Sequence, residues 1–286
     1  MEKKENRIIE KLAERYPQLY VRPSEDSEEA YRMANGRGEP PSDDLSHFIG
    51  SDEDWLRTEE TPAGPVEVLF LKERADFETF LRCISYKCKP AEIMPSVGAQ
   101  TYFGMRNWKK IREHREEYLA GGGLDWGEEL RRFDADKEKS RDTLVLVSDG
   151  PYSALPWQET PYTEEEWRDI SLKIRYYHEC AHVVCRRTFP DQKLPLWDEL
   201  TADLTGLRMA TGAYNGNLAA AFLGVTEEGY TGGRLSHYLS EDEDPDEAAR
   251  ELWRTIGKLE ELSAKQPVEK TFELLVSLTE KPLFMR

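Results

Sequence analysis

One segment of the chain constrains its fold more than any other. Between residues 163 and 188, apolar side chains recur at steps of three or four positions. Thr163 and Glu166 stand at the spacing of a capping box, in which two side chains satisfy backbone N–H groups at the start of a helix. Pro190 follows the pattern, and proline cannot continue a helix. These signals predict one long helix from about residue 164 to residue 188.

The rest of the C-terminal half has the same helical period. A second helix is predicted from about residue 195 to residue 211, ending at Gly212, where the backbone turns without a side-chain penalty. A further helix is predicted to begin at the acidic run around Asp244, and the last segment, 268–281, is predicted to be helical too. From residue 163 onward we therefore expect a mostly helical structure.

The front half mixes helices and strands. Residues 22–65 are rich in Pro, Gly, Ser, Asp and Glu, so an irregular, partly mobile arm is predicted there. The predicted helices of this half are 3–16, 74–86 and 105–120, and the predicted strands are 66–71 and 143–150.

These elements predict an α+β fold. Residues 1–65 are expected to form an N-terminal helix and an acidic arm, and residues 66–286 a single domain. Within that domain, 66–150 supplies a small sheet and 163–286 supplies the helical part. A chain of 286 residues buries a core that needs no disulfide bonds, so a metal ion would serve chemistry more than folding.

The charge of the chain limits its partners. With 39 basic and 56 acidic side chains the formal net charge is −17, so most of the surface repels a phosphate backbone or an anionic membrane. We therefore expect no nucleic-acid partner and no membrane partner. No segment reaches the roughly 20 apolar residues that cross a bilayer, and the N-terminus is charged throughout, so a cytoplasmic protein is expected.

Two histidines lie within the predicted long helix, in the sequence His178-Glu179-Cys180-Ala181-His182. Four residues are about 400° of helix rotation, so both imidazoles lie on one face, one turn apart. That face is also the apolar, inward one. His-Glu-x-x-His on a helix is typical of a zinc site. The alternative is a helix whose histidines are buried in the core without a metal.

A catalytic zinc ion needs a third protein ligand and one open position. Glu199 and Asp203 lie four residues apart on the second predicted helix and therefore point the same way. We expect one zinc ion per chain with Glu199 as its third ligand. Asp203 would then accept a hydrogen bond from the non-ligating nitrogen of one histidine. Asp198 is the alternative ligand, but it has no acidic partner four residues on.

Together the two motifs resemble the gluzincins, the zinc metallopeptidases that include the thermolysin-like enzymes. In that family His-Glu-x-x-His on one helix is followed by Glu-x-x-x-Asp on the next, and residues 178–182 and 199–203 match this pattern. The resemblance implies a zincin-like fold in which the strand at 143–150 is an edge strand that binds an extended peptide. It also implies that Glu179 binds no metal but moves a proton from a zinc-activated water to the leaving amine.

The oxyanion formed in such a reaction needs a donor besides zinc. The segment at 230–239 offers four candidates, Tyr230, Arg234, His237 and Tyr238. His237 together with Tyr238 is the preferred pair.

The predicted function is therefore zinc-dependent hydrolysis of a peptide or small amide substrate. One alternative is a binding or regulatory protein that retains the zinc but whose cleft is occupied by the arm at 22–65. Order in that arm across the strand at 143–150 would favour it. The other alternative is a zinc enzyme with a non-peptide substrate, for which a narrow closed pocket is expected.

Overall fold

The structure is a computed structural model that describes residues 7–95 and 97–283. Its helices are α1 (Arg7–Arg15), α2 (Glu28–Arg37), α3 (Arg74–Ser85), α4 (Trp108–Ala120), α5 (Trp126–Ala135), α6 (Lys137–Ser140), α7 (Glu164–Thr188), α8 (Pro195–Thr211), α9 (Gly216–Leu223), α10 (Pro245–Ser263) and α11 (Thr271–Glu280). Its strands are β1 (Trp55–Glu59), β2 (Val66–Leu71), β3 (Ala99–Arg106) and β4 (Arg141–Ser148). The α+β class predicted from the sequence is confirmed.

The strands form one sheet in the order β1-β2-β4-β3. β2 and β4 run parallel, with Val68 opposite Val145, and most of their residues are buried. Burial on both faces explains why both strands are continuous apolar runs in the sequence. β4 lies inside the sheet, so the expectation that the strand at 143–150 is an edge strand is wrong. β1 and β3 are the edge strands of the sheet. β3 was not predicted because its half-exposed residues include Gly104, whose φ angle is +68°.

The prediction of an irregular arm at 22–65 is also wrong, because this segment contains α2 and β1. α2 buries only Ala34, so its sequence carries almost no apolar period. β1 is an edge strand whose residues are half-buried or exposed, which explains its polar composition. Of the predicted helix at 3–16, residues 3–6 lie outside the described part of the chain.

The predicted helix at 105–120 begins three residues later than expected. Met105 and Arg106 end strand β3, and the side chain of Asn107 accepts a hydrogen bond from the backbone N–H of Lys110, which caps α4. An N-cap asparagine marks a helix start more strongly than the apolar pattern does.

The two long helices of the C-terminal half have the predicted bounds. α7 begins with the capping box of Thr163 and Glu166, and α8 ends at Gly212, which adopts a left-handed conformation with φ +85°. α10 and α11 also match predicted helices within a few residues. Short helices such as α5 and α9 were not predicted.

By its contacts the chain divides into two compact units. The sheet unit comprises residues 7–57, 67–94 and 102–148, and the helical unit comprises 58–66, 95, 97–101 and 149–283. A large apolar core around Trp167 and Trp197 holds the helical unit together. None of the described helices combines the length and the apolar content needed to cross a bilayer.

Candidate metal centre

Helix α7 brings two imidazole rings together on one face. The Nε2 atoms of His178 and His182 lie 3.0 Å apart, and the rings are nearly perpendicular, at 82°. His178 is buried, with 5% of its surface exposed, while His182 remains partly exposed. One side of the pair is therefore inside the protein and the other is open to solvent.

Helix α8 adds the third group. The carboxylate of Glu199 lies with one oxygen 3.3 Å from His182 Nε2 and the other 3.6 Å from His178 Nε2. One ligand atom from each of these three residues lies within 4.8 Å of the other two. Asp198, the alternative third ligand, is not a member of this cluster.

The spacing of the three groups is close to that around a tetrahedral zinc ion. Bonds of about 2.0–2.2 Å place the ligand atoms of such an ion about 3.3–3.6 Å apart. The Nε2 atoms of His178 and His182 are 3.0 Å apart, slightly below that range, and they lie 3.6 and 3.3 Å from two different oxygens of Glu199. Two imidazoles and one carboxylate are also the donor set of many catalytic zinc sites.

The approach of the two helices depends on a glycine. A Cβ atom added at Gly206 of α8 would lie 2.7 Å from the carbonyl oxygen of Ile174 on α7, closer than side-chain carbons come to backbone oxygens. Gly206 therefore permits the helix spacing at which Glu199 reaches the histidines.

The inner nitrogen of His178 is held by two groups. Asp203 Oδ1 and the Tyr152 hydroxyl each lie 2.9 Å from His178 Nδ1, and the Tyr152 hydroxyl donates to Asp203 Oδ1 at 2.6 Å. Because Asp203 accepts only, this arrangement favours a proton on Nδ1 and leaves the lone pair of Nε2 free to bind a cation.

The backbone after Tyr152 is in an unusual conformation. Ser153 and Ala154 both have left-handed φ angles, 53° and 58°, although neither is glycine. Such conformations are costly and persist where the surroundings hold them in place. Here they accompany a buried tyrosine whose hydroxyl contacts both His178 and Asp203.

Arg234 contacts the carboxylates of both Asp203 and Glu199. It forms a short ion pair with Asp203, and its Nη1 atom lies 3.4 Å from Glu199 Oε2. Its guanidinium also lies over the ring of Tyr152, 5.3 Å from the ring centroid. The cluster thus contains one permanent cation that balances part of its negative charge.

These contacts set the charges of the cluster. Burial opposes ionisation of Glu199, but a hydrogen bond from His182 and the charges of His178, His182 and Arg234 hold its pKa well below the usual range. Burial likewise opposes ionisation of Asp203, but Arg234 and the hydrogen bond to His178 keep its pKa low. Both carboxyl groups are therefore ionised near neutral pH and attract a cation.

The pKa of His182 is shifted in the opposite direction. Burial lowers it, but the hydrogen bond to Glu199 and the negative charges of Glu199 and Glu179 outweigh burial and raise it to about 9. Burial raises the pKa of Tyr152 well above its usual range, so its hydroxyl stays protonated as a donor.

Glu179 lies beside the cluster and is not one of the three clustered ligands. It follows His178 on α7 and is half-buried, and the hydroxyl of Thr101 donates to its Oε2 atom at 2.5 Å. One carboxylate oxygen is thereby fixed by a neutral donor.

The predicted oxyanion donors lie in different surroundings. Tyr238 is half-buried, and burial together with the nearby negative charge of Glu199 raises the pKa of its hydroxyl. His237 is exposed, and its ring centroid lies 6.4 Å from that of Tyr238. The Tyr230 hydroxyl bonds with the backbone of Gly233 in its own loop. The structure thus brings Tyr238 and Arg234 to the cluster and leaves His237 at the surface.

Part of the predicted arm contacts α7. The hydroxyl of Tyr176 donates to Glu59 Oε2 at 2.8 Å, and Arg187 donates to the carbonyl oxygens of Ala63 and Pro65. These contacts lie on either side of the histidine pair along the helix sequence and involve none of its ring atoms.

Fold and site together define an α+β protein with a candidate metal centre on a pair of helices. The chain belongs to DUF7005, a family of unknown function whose model matches residues 1–279. Comparisons with curated proteins and with solved structures gave no match.

Proposed function

We propose that this chain is a zinc-dependent hydrolase, most simply a metallopeptidase that cleaves a peptide or another amide bond. The observation that carries the proposal is the convergence of His178, His182 and Glu199, with Glu179 next to the buried histidine. A zinc ion bound there supplies a Lewis acid for the scissile carbonyl and lowers the pKa of a coordinated water to about 7. The net charge of −17 also supports a substrate without a phosphate backbone.

Glu179 is the proposed general base. Its carboxylate accepts a proton from the attacking water and donates it to the leaving amine, a role worth about 10²–10⁴ in rate. The Thr101 hydroxyl holds one of its oxygens, which restricts the rotation of the side chain. Asp203 and Tyr152 hold the ring of His178 through its inner nitrogen.

Tyr238 is the proposed donor to the oxyanion of the transition state. Its hydroxyl stays protonated because burial and nearby carboxylates raise its pKa. Arg234 is bound to Asp203 and lies against Glu199, so its charge supports the ligand carboxylates. The exposed His237 has no proposed role in the reaction.

The first experiment is metal analysis of the full chain purified without a metal-affinity resin. We expect about one zinc ion per chain, and we expect it to be lost in His178→Ala and Glu199→Ala. His114→Ala is the matched control, since His114 pairs with Glu129 instead of this cluster. A wild-type protein that binds no zinc even when zinc is supplied would refute the proposal.

A second candidate is a zinc-binding regulatory protein without hydrolytic activity. It is favoured by the short hydrogen bond from Thr101 to Glu179, which occupies one oxygen of the base. A peptide-library cleavage assay on the zinc-loaded protein separates the two candidates. Cleavage that disappears in Glu179→Gln supports the hydrolase, and normal zinc binding without cleavage of any peptide supports the regulator.

A further inference from the structure

Three side chains on one face of α7 contact the same short turn. Ser171, Arg175 and His178 lie three or four residues apart, so they form one stripe along the helix. The backbone N–H of Tyr152 donates to Ser171 Oγ at 2.9 Å, and the Tyr152 hydroxyl lies 2.9 Å from His178 Nδ1. Arg175 lies between these two contacts in the stripe and bonds the backbone of residues 150–151.

The guanidinium of Arg175 forms both bonds to this turn. Its Nη1 atom donates to the carbonyl oxygen of Gly150 at 2.7 Å, and its Nη2 atom donates to that of Pro151 at 2.6 Å. A guanidinium presents its N–H groups in a rigid planar fork, so two bonds to successive carbonyls fix the direction of the backbone as well as its distance. Arg175 is only 5% exposed, and burying a cation is costly unless its donors are bonded. The bonds to the turn therefore offset part of the cost of burying this side chain.

The turn contains three left-handed residues. Gly150 has φ +116°, and Ser153 and Ala154, on the other side of Tyr152, have φ +53° and +58°. Such conformations of residues other than glycine persist where neighbouring groups hold them in place. Arg175 is one of the groups that hold this backbone, so the position of the Tyr152 hydroxyl depends on it.

A glycine on the other side of the guanidinium leaves room for it. A Cβ atom added at Gly98 would lie 2.8 Å from Arg175 Cζ and 2.9 Å from Arg175 Nη2, closer than nonbonded atoms of these types approach. The φ angle of Gly98 is not left-handed, so contact with Arg175, and not backbone strain, opposes an alanine there. A Gly98→Ala substitution would therefore displace the guanidinium while leaving Arg175 itself unchanged.

We infer that Arg175 is a positioning residue that holds the Tyr152 hydroxyl against His178. Displacing the guanidinium frees the carbonyl groups of residues 150–151 and allows the turn to move, so the hydroxyl no longer fixes the ring of His178. The inference rests on the proposed zinc site, because the orientation of a histidine ring matters most when the ring is a metal ligand. In that site the effect of Arg175 is measured as zinc affinity.

Competition of the full chain with a chromogenic zinc chelator tests the inference. Arg175→Lys keeps the positive charge but cannot bond two carbonyls in the geometry of a fork, and Gly98→Ala displaces the guanidinium. Each variant is expected to raise the Kd for zinc about tenfold. Gly257→Ala is the matched control, because a Cβ atom at Gly257 meets no atom within 4 Å. Zinc affinity that is unchanged in both variants would overturn the inference, even if both were less stable than the wild type.

A double-mutant cycle with Tyr152→Phe distinguishes this route from a general loosening of the helical unit. If Arg175 acts through the Tyr152 hydroxyl, Arg175→Lys raises the Kd of a chain that already carries Tyr152→Phe by less than about threefold. Independent effects of the two substitutions on the Kd would overturn the inference.

Urea unfolding of the four metal-free proteins gives the same cycle without zinc. The losses of stability caused by Arg175→Lys and Tyr152→Phe are expected to be less than additive, because residues that act through a shared contact are coupled. A wild-type chain that binds no zinc would refute the proposed function, whereas additive losses in the metal-free cycle would refute the role of Arg175.

Discussion

Two groups of buried polar side chains in this chain differ in whether their atoms have hydrogen-bond partners. In the helical unit the inner nitrogen of His178 and the Tyr152 hydroxyl both meet Asp203, and Arg234 bonds the same carboxylate. In the sheet unit Gln18 Oε1 and Arg141 Nε are just as buried but have no partner. One cluster therefore satisfies its inward-facing groups from within the chain, and the other leaves a donor and an acceptor unsatisfied.

The difference separates a paired group of side chains from an unpaired one. A metal centre needs ligands held in one geometry before the ion arrives, so the groups behind the ligands must already be bonded to one another. An unpaired buried group instead carries a desolvation cost that no hydrogen bond offsets. Substitutions in either group of side chains test this contrast.

Glu179→Gln is expected to lower the rate of hydrolysis by about 10²–10⁴-fold with zinc content unchanged, because an amide cannot accept the proton of the attacking water. Steady-state cleavage of a peptide found in the library screen, together with metal analysis, measures both quantities. Glu165→Gln, an exposed position of the same helix, is the control and should behave as the wild type. Full activity in Glu179→Gln would remove this residue from the mechanism.

The metal-stripped protein is expected to lose stability as the pH rises from about 6.5 to about 9. His182 has its pKa raised to about 9 by Glu199, so its protonated form stabilises the fold below pH 6.5, and this contribution disappears as His182 loses its proton. The loss is up to about 3 kcal/mol in the free energy of unfolding.

Urea titrations at several pH values measure this loss. Adding zinc should abolish or reverse the trend, because the ion replaces the proton and binds better as protons are removed. Glu199→Gln removes the partner that raises the pKa, so its stability should change little over the same window. An equal loss of stability in that variant would assign the effect to another group.

Tyr152→Phe is expected to weaken zinc binding by about 10–100-fold, as is usual when the hydrogen-bond partner of a zinc histidine is removed. The variant keeps the ring, which packs against Phe222, and removes only the hydroxyl that contacts His178 and Asp203. Competition with a chromogenic zinc chelator gives the affinity. Tyr230→Phe is a matched control, because that hydroxyl bonds only within its own loop. Equal affinities in the two variants would show that Asp203 alone orients the ring.

The sequence predicts the helical unit better than the sheet unit, for a physical reason. α7 and α8 are long, their apolar period is repeated several times, and a capping box, a proline and a glycine mark their ends. β1, β3 and α2 are short and half-exposed, so no period is visible in them. The spacing on the long helices therefore predicts the members of the candidate metal cluster that lie there.

Residues outside those helices were missed because nothing in their local sequence marks them. Tyr152 follows β4 in a turn whose left-handed residues, Ser153 and Ala154, are not glycines, so the turn has no sequence signal. Thr101 belongs to the strand that was not predicted. Gln18 and Arg141 lie far apart along the chain, and only the fold brings them to one cavity.

Gln18→Met is expected to have the smallest effect on stability and, unlike Tyr152→Phe, to be neutral or stabilising by up to about 1 kcal/mol. Replacing a paired polar group leaves its partner unsatisfied, whereas replacing an unpaired one removes a desolvation cost that no bond offsets. Chemical unfolding of both variants without added ligand measures whether each substitution raises or lowers the free energy of unfolding. A gain in stability would mean that Gln18 Oε1 has no partner in the folded chain. A loss of stability would mean that Gln18 Oε1 is satisfied in solution, and the contrast between the two clusters would fail.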